Sequence, residues 1–493
     1  MQLEQLAADL TASEGADAAG FPRLSISGLT ADSRKVEPGF LFAALKGAHV
    51  DGTRFAAKAV EAGAVAVLCA DEVADELRGQ LPSSIAIVSS REPRRALALM
   101  AARFYARQPK ITVAVTGTSG KTSVAHFVRQ IFQSAGHASA SLGTLGTVTA
   151  DGQSYGGLTT PDPVALHMEL NRLAEAGVTH AALEASSHGL DQHRLDGVRI
   201  SAAGFTNLGR DHMDYHATVE DYLEAKLRLF RNLLPMGGTV VVDPGEKYAD
   251  RVMAVAHERG LPLFTVGETG KDLQLSGLRQ SGFGQVLTLQ TPRGQYSLTL
   301  PLVGRFQVSN ALIAAGLAIS VGHETGQVLR ALENLKGAPG RLEFAGRTKT
   351  GALVVIDYAH KPDALENALA ALRPFTSGKL SVVIGAGGDR DVGKRPLMGK
   401  AAAARADEVI VTDDNPRSED PALIRKAVLE GAPGAIEIGD RAEAIRTAIS
   451  RLETGDVLCV AGKGHETGQI VGDTVLPFSD HEAVAAAIAM GGN

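Results

Sequence analysis

The chain has 493 residues, 44% of them hydrophobic and 21% charged, with a formal net charge of −6. At roughly 100 to 200 residues per domain that length is too great for one core and points to about three domains. The slightly acidic balance and the lack of a long basic run argue against nucleic acid or anionic membranes as partners and leave small molecules.

The start, MQLEQLAADL, has neither the basic n-region nor the apolar h-region of a signal peptide. The most apolar central stretch, ALIAAGLAISVG, is shorter than the ~18 residues that span a bilayer. Only Cys69 and Cys459 occur, far apart and each within an apolar run, as buried thiols in a reducing compartment would be. A cytoplasmic enzyme is the expectation.

Strand-like runs alternate with Ala- and Leu-rich helical stretches along the whole chain, which predicts parallel α/β sheets. The first segment, to residue 108, carries GLTADSRKV, GFLFAAL, AVAVLC and IAIVSS. A second opens with ITVAVTG and includes HAALEAS and GTVVVD. A third begins at the turn GAPG, near residue 339, and includes LVVIDYA, LSVVIGA, EVIVTD and VLCVAGK. No internal repeat or low-complexity tract is present.

The second segment opens with a strand, a glycine-rich turn, Lys121, Thr122 and a helix. In that arrangement loop amides and a helix N-terminus cradle phosphates, the lysine reaches the terminal ones and the hydroxyl meets Mg²⁺. The loop is short: Val115 stands where the first glycine of the full pattern would be, leaving Gly117, Thr118, Ser119, Gly120, Lys121, Thr122 and Ser123. Two further strand ends are loaded with charge, Glu184 in ALEASSHGLDQHR and Asp211, His212, Asp214 and His216 in FTNLGRDHMDYH. A carboxylate beside a phosphate loop suits a second Mg²⁺ site in phosphoryl transfer, against the plainer alternatives of a core histidine and helix-capping aspartates. Lys226, in YLEAKLRLF, reads locally as a surface helix lysine.

The third segment adds DYAHKPDAL, GGDRDVGKRP, DDNPR and GKGHE, each following a strand. Loops at the C-terminal ends of parallel strands are where a doubly wound domain binds ligands, so four such loops predict one crevice. In VIVTDDNPRSEDPALIRKAVLEG, Asp420 reads as the N-cap and Pro421 as the first turn of a helix, while Pro416 stiffens the loop that presents Arg417.

Taken in order, ADSRKV, GAHVDG, GTSGKTS, TTPD, EASSHGLDQHR, NLGRDHMDYH, GRLE, DYAHKPDAL, GGDRDVGKRP, DDNPR and GKGHE resemble the Mur ligase family, the ATP-dependent amide-bond ligases of cytoplasmic peptidoglycan synthesis. The resemblance covers essentially the whole chain. It implies an α/β protein of three domains: residues 1–108 binding a UDP-sugar, residues 109–338 a P-loop ATPase-type parallel or mixed sheet, and residues 339–493 a Rossmann-like domain for the incoming amino acid. It implies that Ser33, Ala48, His49 and Val50 meet the UDP end, and that Thr159, Thr160, Ser186, Gln192 and Arg194 hold the sugar-peptide. Thr122, Glu184 and His212 match the magnesium positions, Lys226 matches a lysine that the family carbamylates, and Lys121 completes the catalytic group. Asn310, Arg341, Asp357 and His360 would lie at the nucleotide.

The tetrapeptide Asp414, Asn415, Pro416, Arg417, with Arg390, Gly462 and Glu466, matches the members that choose meso-diaminopimelate over L-lysine. A held guanidinium would pair with the extra carboxylate. The expected substrates are ATP, UDP-N-acetylmuramoyl-L-alanyl-D-glutamate and meso-diaminopimelate, with Mg²⁺ as cofactor. Neither nucleic acid nor membrane insertion is expected, and the protein should be a monomer. Ser119, Leu158, Gln307 and the residues after Glu466 depart from the family pattern. An L-lysine-adding or folyl-polyglutamate-type ligase fits less well because of Arg417 and ADSRKV, and a nucleotide-dependent switch would need a guanine-selecting N-K-x-D element that the sequence lacks.

Overall fold

The computed structural model describes residues 1–8, 23–47, 50–154, 156–209, 211, 213 and 215–490. Every strand-like run read from the sequence contains a strand, though GLTADSRKV is one only over Gly28–Thr30 and then turns through a short 3-10 helix, Ser33–Lys35. The fold is α/β throughout, and the chain divides into two compact units, Met1–Asp272 with Ile313–Thr325, and Leu273–Leu312 with Gly326–Asn493.

The first unit holds two sheets. β1 (Gly28–Thr30), β2 (Phe40–Ala43), β3 (Ala66–Ala70) and β4 (Ala86–Ser90) lie in sequence order, all parallel. Apolar clusters cover both faces, one around Leu41, Leu68, Leu97 and Met100, the other around Phe42, Val67, Cys69 and Leu77. A sheet buried on both sides needs continuous apolar strands, which is why AVAVLC reads as it does. The carboxylate of Asp196 takes Arg95, from the helix Pro93–Phe104, at 3.4 Å and Arg228 at 2.7 Å.

The larger sheet contains β5 (Ile111–Thr116), β6 (Ser139–Gly143), β7 (Gly146–Val148), β8 (Gln153–Ser154), β9 (His180–Glu184), β10 (Ala202–Phe205), β11 (Thr239–Val242) and β12 (Leu263–Gly267). Their spatial order in this unit is β12-β11-β10-β5-β9-β6-β7-β8, parallel as far as β6 and antiparallel beyond it. β5 has β9 on one side and β10 on the other, so the chain order reverses there. Such a reversal opens a crevice at the strand C-termini.

The second unit has an antiparallel meander of β13 (Leu273–Gln280), β14 (Gln285–Thr291) and β15 (Gly294–Leu300). Its main sheet runs β16-β17-β21-β18-β19-β20, from β16 (Glu343–Arg347), β17 (Leu353–Asp357), β18 (Leu380–Ile384), β19 (Glu408–Val411), β20 (Ile436–Glu437) and β21 (Val457–Ala461). All are parallel but the edge strand β16. Helices cover both faces, giving the Rossmann-like arrangement expected. A hairpin, β22 (Gly468–Val471) and β23 (Thr474–Pro477), follows the last core strand. Both cysteines are buried and free. Among the described residues no helix is long and apolar enough to cross a membrane.

Candidate active site

In the first unit three neighbouring strand ends deliver the chemistry. After β5 the chain turns through Gly117–Gly120 into the helix Lys121–Ser134. Gly117 (φ 150°) lies so close to the Thr206 side chain that a Cβ would collide with it, which is what brings the loop backbone against the exit of β10. Residues after β10 then pin the loop: Ser119 N donates to Asn207 Oδ1 (3.0 Å) and Thr206 Oγ1 donates to Ser119 O (2.6 Å). Lys121 folds over the loop, its Nζ donating to Gly117 O and Thr118 O at 2.8 and 2.9 Å. Thr122 and Ser123 are buried in the first turn.

Glu184, the last residue of β9, is 3% exposed. Its carboxylate accepts from Thr122 Oγ1 (3.0 Å), Thr144 N (2.8 Å) and Thr144 Oγ1 (3.2 Å). Thr144 Oγ1 is 3.1 Å from Thr159 Oγ1. The Glu184 carbonyl accepts from Thr160 Oγ1 (2.8 Å), which lies 3.0 Å from Ser186 Oγ, the cap of the short helix Ser187–Asp191. Arg194 donates to Thr160 O at 2.6 Å and to Gln192 Oε1 at 2.7 Å. Residues expected to serve a metal and residues expected to hold a sugar-peptide thus form one hydrogen-bonded chain.

Lys226 overturns its local reading as a surface lysine: it is 1% exposed. The helix Val219–Arg228, opened by a Thr218/Asp221 capping box, puts Lys226 one turn after Tyr222 on an apolar stripe with Leu223 and Leu227. Its Nζ donates to Gly117 O at 2.9 Å and lies 4.1 Å from the centre of the Tyr222 ring, whose hydroxyl is 3.2 Å from Thr118 Oγ1. Burial, with Lys121 next, pushes its pKa well below the usual lysine value, and Asp211 pulls the other way. The amine therefore gives up its proton more readily than that of a surface lysine.

Ser33 opens a short turn capped by Asp32, and Val50 is exposed; neither joins this hydrogen-bonded chain. Ala48, His49, His212 and Asp214 lie outside the described residues. A cleft of about 560 Å³ in the same unit has Lys46, Arg91, Arg94, Asp51 and His193 in its wall. Its three cations escaped the sequence reading because none sits in a motif.

In the second unit the C-terminal ends of β17, β21, β18 and β19 lie side by side, and their loops interlock. Asp357 accepts from Leu342 N (2.6 Å) and Ala359 N (2.8 Å); burial pushes its carboxyl up while Arg341 and these amides pull it down. The Arg341 guanidinium stacks 4.6 Å from the Tyr358 ring centre. Gln307, one of the departures from the family pattern, is fully buried and donates to Arg341 O (3.0 Å) while accepting from Asn310 Nδ2 (3.1 Å). His360 Nδ1 is 2.9 Å from Tyr358 O, and burial brings its pKa down to about 4. Lys394 Nζ donates to His360 O at 3.1 Å.

The loop after β19 is tied to the one after β21 by Lys463, a residue the sequence reading did not single out. Lys463 is fully buried, with Nζ 3.0 Å from Asn415 Oδ1, 3.4 Å from Glu466 Oε2 and 3.7 Å from Asp414 Oδ1. Asn415 also donates to Glu466 Oε2 (3.0 Å) and accepts from Ile470 N (2.9 Å). Gly462 lies against Asp414.

Arg417 has φ 53°, a left-handed backbone rare for arginine. The hairpin holds it there: Arg417 N donates to Ile470 O (3.0 Å) and Gly472 N to Arg417 O (2.7 Å). Its guanidinium donates to Gly388 O at 2.8 Å. Asp420 and Pro421 start the following helix as expected. Arg390 is exposed; it acts on Asp389, the acceptor of Ser418 N and Oγ, electrostatically, as Arg417 does.

Three family descriptions match the chain in order: "Mur ligase family, catalytic domain" over residues 25–105, "Mur ligase middle domain" over 115–318 and "Mur ligase, glutamate ligase domain" over 340–464. A curated protein of Bradyrhizobium diazoefficiens, named UDP-N-acetylmuramoyl-L-alanyl-D-glutamate--2,6-diaminopimelate ligase, is 55% identical over 485 residues, 98% of each chain. One of the same name from Agrobacterium fabrum is 55% identical over 94% of each. A solved structure described by that name is 34% identical, covers 98% of both chains and superposes with a TM-score of 0.72. With every domain of the family present in order and such identity along nearly its whole length, the chain belongs to the Mur ligase family.

Proposed function

We propose that this protein is the ATP-dependent ligase that joins meso-diaminopimelate to the D-glutamyl carboxylate of UDP-N-acetylmuramoyl-L-alanyl-D-glutamate, in the cytoplasm and as a monomer without nucleic acid. Residues 1–108 serve the UDP-sugar, 109–338 ATP and 339–493 the amino acid. The observation that carries the reading is the unbroken chain from Thr122 through Glu184 to Thr160, Ser186 and Arg194, which couples a phosphate loop to the polar side chains that follow β9. The names of the full-length relatives support the choice of substrates.

In the reaction the glutamyl carboxylate attacks the γ-phosphorus of ATP, ADP leaves and an acyl phosphate forms. The free amine of meso-diaminopimelate attacks the acyl carbon, loses a proton and expels phosphate through a tetrahedral intermediate. Lys121 and the helix N-terminus behind it neutralise charge on the transferring group, where most catalysis of phosphoryl transfer lies. The Thr122 hydroxyl and Glu184 carboxylate, 3.0 Å apart, are hard oxygen donors suited to Mg²⁺, and the family resemblance adds His212 to them. Bound there, the ion would offset the phosphate charge. Asn310, Arg341, Asp357 and His360 serve the nucleotide, while Ser33, Ala48, His49 and Val50 serve the UDP end.

Lys226 is carbamylated in this reading. Burial and Lys121 favour its free amine, which adds to the carbon of CO₂ and releases a proton, giving an anion that Lys121 attracts. Arg417, aided by Arg390, Asp414, Asn415, Gly462 and Glu466, pairs with the carboxylate that lysine lacks. A site built for a missing polar group rejects its analogue by roughly 10⁴-fold in favourable cases.

Rapid-quench analysis of nucleotide products tests the scheme. ADP and phosphate in equal amounts are expected; AMP with pyrophosphate would overturn it.

A further inference from the structure

Three histidines far apart in sequence meet in the first unit, at the end of the sheet away from the phosphate loop. One ring nitrogen from each of His137, His180 and His323 lies within 4.8 Å of the other two. The rings of His137 and His180 stack at 4.0 Å between centres, and His323 is 5.1 and 5.4 Å from them. Phe132 closes one side, 4.8 Å from His180 and 5.1 Å from His323. His180 is buried; the other two are half-buried.

Two features of the surroundings suit a cation. His137 follows the C-terminus of the helix Lys121–Ser134 and His323 that of the helix Arg305–Ser320. Each helix is closed by a left-handed glycine, Gly136 and Gly322, and each histidine N–H bonds back into its last turn, to Phe132 O (3.0 Å) and Ala318 O (3.3 Å). Two helix ends with partial negative charge thus face the cluster, which favours positive charge there.

The second feature is an outer hydrogen-bond partner for His180. Thr179 Oγ1 donates its hydrogen to Ala138 O (3.3 Å) and lies 2.9 Å from His180 Nδ1. In the tautomer protonated at Nδ1 this hydroxyl accepts from Nδ1–H and the lone pair is left on Nε2. An outer hydrogen bond that orients one imidazole nitrogen and frees the other is how metal-binding histidines are held.

We infer that His137, His180 and His323 form a structural site for a borderline divalent cation of the zinc class, with water in the fourth position. Three imidazoles suit such an ion and not Mg²⁺, which prefers oxygen. Metal–nitrogen distances of about 2.0–2.1 Å put tetrahedral ligand nitrogens about 3.3 Å apart, within reach if the two half-buried rings rotate. The ion would join the far ends of the phosphate-loop helix and of β9, whose other end carries Glu184. A helix of that length spans about 20 Å, so the site would stabilise the unit without touching the reacting atoms.

The test is calorimetric titration of Zn²⁺ into chelator-treated full-length protein in excess Mg²⁺, with Co²⁺ absorption to report a nitrogen-rich four-coordinate site. One equivalent of Zn²⁺ and a visible Co²⁺ band are expected, together with a rise in melting temperature. His137→Gln and His323→Gln, at half-buried positions that tolerate change, should each weaken binding at least about tenfold and abolish the band. His180→Gln should do the same; if it fails to fold, the other two variants decide. No Zn²⁺ uptake by the wild type, or equal uptake in the half-buried variants, would overturn the inference.

Discussion

Among the described residues each unit buries one lysine almost completely, and their surroundings are opposite. Lys463 is packed among Asn415, Asp414 and Glu466, so its charge is matched and it acts as a tie between two loops. Lys226 has a backbone carbonyl and an aromatic face, with Lys121 repelling it and Asp211 attracting it. A buried ammonium with carboxylates at hand is part of the architecture. A buried amine held next to another cation is a reactive group, because losing its charge relieves the cost of burial.

That contrast can be broken most severely at Lys226. Lys226→Ala should lower kcat about 10³-fold with little change in melting temperature, measured by steady-state phosphate release and calorimetry. An equally large effect on folding would make Lys226 a structural lysine like the other. At Lys463 the order reverses: Lys463→Met leaves Asp414 buried beside Glu466 and should cost about 3 kcal/mol in denaturant unfolding. Unchanged stability there would show that the tie carries no weight.

The smallest effect sharpens the comparison through pH. The folded pKa of Lys226 lies below its ordinary value of 10.5. Between the two values the unfolded chain binds a proton that the folded chain lacks, so unfolding free energy rises with pH across that window; below the folded value the full cost of the buried charge remains. Lys226→Met, in buffer freed of CO₂, should be more stable at low pH and should lose this rise. A slope that survives the substitution would assign it to other groups.

Much of this was legible in the sequence because it rests on short-range rules. β-branched runs gave strands, Gly-Lys-Thr after a strand gave the phosphate loop, and Asp420-Pro421 gave a helix start. Side-chain wiring across strands was not legible: the contacts of Glu184 with Thr122 and Thr144 span 62 and 40 residues. Lys226 could have been found, since it interrupts the apolar stripe of Tyr222, Leu223 and Leu227. Lys463 sits in a glycine-rich loop with no such stripe, whereas the meander β13–β15 was legible in the alternations LQLS, LTLQ and SLTL, whose leucines are the buried face. The left-handed Arg417 was half legible: Pro416 predicted a stiff loop, but the hairpin that fixes the arginine lies some 50 residues later.

The central claim is that this ligase selects its amino acid through Arg417. Phosphate release from ATP and Mg²⁺ with the UDP-muramoyl dipeptide, measured with meso-diaminopimelate and with L-lysine for wild type and Arg417→Ala, tests it most directly. The account predicts turnover with meso-diaminopimelate alone and a loss of about 10²-fold or more in kcat/KM in the variant, as expected when one partner of a closed charge pair is removed. Turnover with lysine, or an unaffected variant, would contradict it.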